Sequence, residues 1–195
     1  KMLNDLQAGQ WSWNGVTSEI TIDQNIPDLV ILELGVNDIV SEFDLPKVTV
    51  QNIQAIIGIL RSKNPNVHIV LSSVLPSTDG TYDTKAVELN RLYEELAVQI
   101  STPQSPIIVT KDLHGVIKPS DLIDVVHPNQ SGEDKLVESW IIELTQSNWL
   151  PSALNSQGSI PSTITVTKQW IDPAVSLQAV RVGRALRNAY APITN

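Results

Sequence analysis

Pro27-Asp28-Leu29-Val30-Ile31-Leu32-Glu33-Leu34-Gly35-Val36-Asn37-Asp38 is the segment whose reading decides the fold. Residues 29–34 form a near-continuous apolar run. That is the pattern of a strand buried on both faces of a parallel sheet, not the alternation of a strand with one wet face. Gly35-Val36-Asn37-Asp38 then reads as a tight turn that presents a side-chain amide at the carboxyl end of the strand. Ligands of wound α/β sheets bind beyond such ends, so Asn37 stands where a site residue should.

Strand and helix signals alternate outward from this segment to about Ser147. Val50, Ile53, Ile56, Ile57 and Leu60 recur at helical spacing, and Asn64-Pro65-Asn66 stops that helix. Residues 67–74 give a second β-rich run, closed by Leu75-Pro76-Ser77. Val87, Leu89, Leu92, Tyr93, Leu96 and Ile100 mark a second amphipathic helix, and a short strand follows at 107–109. A last helix over roughly 132–145 carries Leu136, Val137, Trp140, Ile141 and Leu144. The order β-α-β-α-β-loop-α predicts a doubly wound parallel α/β layer with helices on both faces. Residues 1–147 form the expected domain, and 148–195 a linker and tail. Within the tail, 148–163 is rich in Ser, Pro, Asn and Gln, 164–170 has strand character, and 173–190 suits a helix with Val175, Ala179, Val182, Ala185 and Leu186 on one side.

With 195 residues, 42% apolar and 17% charged, the chain is long enough for one domain with a substantial core. A net charge of −8 excludes the basic stripe that a nucleic-acid backbone requires, and a neutral or cationic substrate fits better. No run reaches the roughly 18 apolar residues of a membrane span, and Lys1-Met2-Leu3-Asn4-Asp5-Leu6 lacks a signal-peptide core, so a soluble chain is expected. There is no cysteine, hence no disulfide and no thiolate nucleophile or ligand. No HExxH or comparable spacing joins the histidines, so neither a metal nor another cofactor is expected. Asn129-Gln130-Ser131 is a formal glycosylation sequon, but it overlaps the candidate active loop, where a glycan would obstruct the site.

The second chemically suggestive segment is Asp124-Val125-Val126-His127-Pro128-Asn129. Acyl transfer at neutral pH needs a nucleophile, a base for its proton, a group that orients the base, and donors for the oxyanion. The spacing lets Asp124 accept from one ring nitrogen of His127, fixing the tautomer while His127 acts first as general base and then as general acid. Pro128 biases His127 towards an extended backbone. Asn37 is an uncharged donor suited to an oxyanion. A plainer reading makes His127 a loop histidine and Asn37 a turn former. Asp38 is expected to bond to turn amides, and Glu33 to be a paired buried acid or to lie at a layer edge. His68 reads as a strand residue and His114, before Gly115, as a loop residue.

The two blocks, in this order and topology, resemble the SGNH hydrolases, also called GDSL esterases and lipases. The resemblance covers roughly residues 15–144. It implies a flavodoxin-like α/β fold of the SGNH-hydrolase type, with an oxyanion-hole asparagine at Asn37 and two triad members at Asp124 and His127. Asn14-Gly15-Val16-Thr17-Ser18-Glu19-Ile20 resembles the region of the family's second oxyanion donor, which would make it the backbone amide of Gly15. Trp11 and Trp13 flank that region and either line a sugar- or acyl-binding surface or pack locally.

One part of the family pattern is missing, because nothing in the chain reads Gly-Asp-Ser, the block that carries the family's nucleophile on the first strand. Lys1-Met2-Leu3-Asn4-Asp5-Leu6 resembles the helix that follows that block, and Ser12 and Ser18 lie too close to Gly15 to replace it. Three readings stand open: a truncated product, a non-catalytic relative, or a rearrangement in which the strand at 164–170 fills the vacated first position and covers an open sheet edge. The implied activity is carboxylic-ester hydrolysis of the carbohydrate acetyl esterase kind, on a small-molecule or carbohydrate ester. The alternatives are an inactive relative that binds a carbohydrate or acyl ligand in the same cleft, and an interaction module that uses the tail.

Overall fold

The computed structural model describes residues 26–41 and 45–149. Expectations for Lys1-Met2-Leu3-Asn4-Asp5-Leu6, Trp11, Ser12, Trp13, Gly15, Ser18 and the tail segments 164–170 and 173–190 fall outside the described residues.

Strand β1 (Leu29–Leu32) leads into a short helix α1 (Val36–Ser41) and then into α2 (Pro46–Lys63). There follow β2 (His68–Leu71), α3 (Gly80–Ile100) and β3 (Ile107–Val109). After a single 3-10 turn at Pro119–Asp121 comes α4 (Gln130–Gln146). The described strands pair in parallel in the order β1-β2-β3, with Ile31 opposite Val70 and Val70 opposite Ile108. Parallel neighbours need a crossover, which α2 and α3 supply.

Side chains alternate across the pleat, and both sides are covered. Val30 and Leu32, Ile69 and Leu71, and Ile107 and Val109 pack with Ile53, Ile56, Ile57 and Leu60 of α2 and Leu89, Tyr93 and Leu96 of α3. Ile31, Val70 and Ile108 pack instead with Leu136, Val137, Trp140 and Leu144 of α4. Burial on two faces is why the strand sequences read as unbroken apolar runs. Both crossover helices share one face, and α4, which follows the last described strand, covers the other.

Three elements depart from the sequence-based expectation, each for a local reason. Residues 36–41 are helical, where only a turn is expected, and Ile39 N–H donates to the Gly35 carbonyl at 3.1 Å. Helix α3 begins well before its apolar markers because the Asp79 carboxylate accepts from the amides of Thr81 and Tyr82. Strand β2 ends at Leu71, short of the β-rich run expected to reach Val74. Ser72 N–H still donates to the Leu32 carbonyl of β1 at 2.9 Å, and beyond it the backbone is paired by side chains instead of a neighbouring strand. Asn90 of α3 accepts from Val74 N–H at 2.7 Å and donates to the Val74 carbonyl at 3.0 Å. Thr110 Oγ1 accepts from Ser73 N–H at 2.8 Å, and Ser73 Oγ donates to the Thr110 carbonyl at 2.7 Å. Trp140 Nε1 donates to Ser72 Oγ at 2.9 Å from the other face.

These bonds allow a buried, non-ladder segment to keep its backbone satisfied. Substituting Asn90→Leu keeps the volume but strands both polar groups of Val74, so unfolding in urea should show a loss on the order of 3 kcal/mol with the m-value unchanged.

Candidate active site

The turn after β1 is built around Gly35, which has φ +107°. A Cβ there would lie 2.6 Å from Leu89 Cδ2 and 2.8 Å from the Tyr93 hydroxyl oxygen. Both the dihedral and the crowding therefore demand glycine. Tyr93 is buried, and its hydroxyl donates to the Leu34 carbonyl at 3.0 Å, pinning the chain just before the turn. Burial, reinforced by the charge of Asp38, pushes the Tyr93 phenol up, so it remains a donor. Asn37 is exposed on α1, beyond the carboxyl end of β1. Glu33, Asn37 and Asp38 all have interaction partners.

The Asp124 and His127 side chains are brought together. Asp124 Oδ2 lies 2.7 Å from His127 Nδ1, and Asp124 Oδ1 accepts from the amides of Val126 at 2.9 Å and His127 at 2.8 Å. One carboxylate thus closes the backbone turn with one oxygen and orients the ring with the other. Partial burial works against its ionisation, but the two amides and the imidazole outweigh that, holding the Asp124 carboxyl below its ordinary value. With hydrogen on Nδ1 facing the carboxylate, Nε2 carries the lone pair that can take a proton.

Two anchors hold this loop. From the sheet side, Ser77 Oγ and Thr78 N–H both donate to the Val125 carbonyl, at 2.7 and 3.1 Å. At its base, Leu122 and Pro128 form an antiparallel bridge, and Ile123 N–H donates to the His127 carbonyl at 2.8 Å. Asp121 is the buried keystone. It accepts from Lys135 Nζ, from Lys118 N–H at 2.7 Å and from Ser131 Oγ at 2.8 Å. The Lys135 ammonium, with those two donors, lowers its carboxyl from 3.8 to about 2. Asn129 caps α4, accepting from Ser131 and Gly132 N–H, while its Nδ2 donates to the Ser120 carbonyl at 2.7 Å. The sequon nitrogen is therefore already committed to a loop contact. Gly132 is required sterically, since a Cβ would lie 2.4 Å from the Asp121 carbonyl oxygen.

Asn37 follows β1, and the His127 loop is bonded to the segment that follows the adjacent β2, so both belong to the carboxyl end of the sheet. Gly15 lies outside the described residues. His68 is half-buried on β2, with its ring 4.6 Å from that of Trp149. Sequence reasoning missed the surroundings of His114. Its Nδ1 faces Asp112 Oδ1, and its Nε2 lies 3.0 Å from Asp83 Oδ1. Asp112 stands just before His114 in the loop after β3, but Asp83 comes from α3, so local spacing signals only part of the grouping. Among the described residues no group of three or more His, Asp or Glu side chains is arranged to hold a metal ion. No described helix is long and apolar enough to cross a membrane.

Comparison with known proteins agrees with this architecture. The GDSL-like Lipase/Acylhydrolase family model matches residues 4–135, and the chain belongs to that family. An arylesterase from Vibrio mimicus is 26% identical over 147 residues, covering 74% of this chain and 70% of the relative. A multidomain esterase from Ruminococcus flavefaciens is 27% identical over 124 residues, 60% of this chain but 16% of that protein. Among solved structures, an acetyl esterase superposes with TM-score 0.60 at 21% identity, covering 65% of this chain and 61% of that one. A carbohydrate esterase family 3 protein from Talaromyces cellulolyticus superposes with TM-score 0.61 at 20% identity, covering 67% and 64%. The chain thus spans less than two thirds of either solved esterase, and these likenesses establish the SGNH-type α/β fold.

Two outcomes follow from the local geometry. Gly35→Ala should lower stability by about 2–4 kcal/mol in denaturant titrations, from the left-handed dihedral plus overpacking against Leu89 and Tyr93. Asp121 has a depressed folded pKa, so its contribution is fully present above the unfolded value and disappears as pH falls through the folded one. Melting temperature should therefore drop between pH 4 and about 2, and Asp121→Asn should flatten that acid limb while lowering stability at neutral pH.

Proposed function

We propose that this member of the GDSL-like lipase/acylhydrolase family is a carboxylic-ester hydrolase in which His127 is the general base and acid, Asp124 orients it, and Asn37 donates to the oxyanion. The observation that carries the reading is the 2.7 Å contact between Asp124 Oδ2 and His127 Nδ1, on a loop bonded to the carboxyl-end segment of the sheet. In such a site a serine hydroxyl attacks the ester carbonyl as His127 Nε2 takes its proton. The tetrahedral oxyanion is held by the Asn37 amide and by the Gly15 N–H, and His127 then returns the proton to the leaving alkoxide. Water repeats the cycle on the acyl-enzyme. The imidazolium formed on the way is stabilised by the ionised Asp124, whose lowered pKa keeps it charged well below neutral pH.

The substrate class proposed is an acetylated carbohydrate or another short-chain ester. Likeness to an acetyl esterase and to a carbohydrate esterase family 3 protein supports it. So does a net charge of −8, which disfavours anionic esters. The catalytic unit in this reading is residues 1–147, with 148–195 as linker and tail. A second reading is a relative that binds an acylated glycan in the same cleft without turning it over.

Hydrolysis of p-nitrophenyl acetate, with fluorophosphonate labelling and peptide mapping, separates the two. Ester hydrolysis predicts a labelled serine and a loss of roughly a hundredfold or more in kcat for His127→Ala and for Asn37→Ala. Absence of turnover and label, together with a raised melting temperature in acetylated xylo-oligosaccharide, would establish the binding reading instead.

A further inference from the structure

The Asp124 to His127 turn is not held by its own residues alone. The peptide between Val125 and Val126 is planar, so fixing its carbonyl fixes its N–H. That N–H is one of the two amides bonded to Asp124 Oδ1. The carbonyl on the other side of the same plane accepts from Ser77 Oγ at 2.7 Å and from Thr78 N–H at 3.1 Å. Ser77 is itself fixed in polarity and place. Its single hydroxyl hydrogen goes to Val125 because the oxygen accepts from Asp79 N–H at 3.0 Å, and its own N–H donates to Asp83 Oδ1 at 2.9 Å. Asp83 is braced by His114, which is braced in turn by Asp112.

From this chain of contacts we infer that Ser77, anchored by Asp83, is a positioning residue for His127. It sets the tilt of the Val125 peptide, hence the Asp124 carboxylate, hence the imidazole. Ser77 bonds to the Val125 carbonyl and not to the ring. The inference rests on the functional reading above for its catalytic consequence, but its structural content is independent of turnover. Removing the hydroxyl leaves the Val125 carbonyl with one donor and allows its peptide plane to rock. The carboxylate then no longer meets Nδ1 in one orientation, and the ring samples both tautomers.

The experiment is imidazole nitrogen NMR on the full chain labelled at histidine, with His127 assigned by His127→Gln, alongside kcat and KM on p-nitrophenyl acetate. The wild type is expected to show His127 with hydrogen on Nδ1. Ser77→Ala should move its nitrogen signals towards a tautomer average and lower kcat roughly tenfold, with KM within about twofold. Ser77→Thr, which keeps the hydroxyl, should restore both. If Ser77→Ala does not fold, Asp83→Ala and its rescue Asp83→Asn, which keeps an oxygen acceptor, give the same reading from the other side of Ser77. Signals of His127 unchanged in the alanine variant, or equally displaced in the conservative one, would overturn the inference. If the wild type shows no ester turnover, the proposed function fails, while the nitrogen signals still decide the role of Ser77.

Discussion

The structure depends on how the backbone is satisfied after β2. Ser73 to Leu75 leaves the ladder while still buried, and an unpaired amide or carbonyl there would cost as much as a lost core contact. Asn90 from α3 and Thr110 from the end of β3 supply side chains to this stretch, and Trp140 from α4 bonds to Ser72 just before it. Elements from both faces of the sheet therefore converge on one segment, and that segment carries the chain to Ser77 and so to the histidine loop. Fold and candidate site are joined here by hydrogen bonds, alongside the packing of Leu75 and Leu122 in one core cluster.

The histidine loop has a second fixed point, and the two are of different kinds. Asp121 gathers an ammonium, a hydroxyl and an amide beneath the loop, an ionic anchor that fails only in acid. Ser77 holds the loop from the sheet side through a neutral hydrogen bond. Between them Asp124 needs little burial to bind its ring partner. This explains how a carboxylate half exposed to water can still keep two amides and an imidazole in register.

Much of the layer was legible in the sequence because burial on two faces imprints itself directly on residue choice. Residues 29–32 and 69–71 contain no polar residue, and the Leu89, Tyr93, Leu96 spacing traces the buried stripe of α3. The pairing of Asp124 with His127 was legible because it is local, closed by a turn of the chain. The extent of β2 differs from the sequence-based expectation because a β-rich run reports burial, not pairing, and Ser73 and Val74 are buried yet bonded to the side chains of Thr110 and Asn90. The helix at 36–41 was hidden by a Gly-Val-Asn-Asp sequence whose composition suits a turn. The approach of Asp83 to the local Asp112–His114 pair was hidden because it is created by the packing of α3 against the loop after β3, which no short-range spacing encodes.

Asn129 carries a further consequence. Its amide nitrogen is bound to Ser120 and its oxygen caps α4, so the folded molecule offers no acceptor to an oligosaccharyltransferase. That enzyme acts on chains emerging into the secretory lumen, before such contacts exist. In a eukaryotic secretion host, glycan addition and closure of this loop are thus competing events on the nascent polypeptide. A glycan placed first on Nδ2 crowds the contact with the Ser120 carbonyl, while the oxygen that caps α4 is chemically unchanged, so the order of the two events decides how the loop closes.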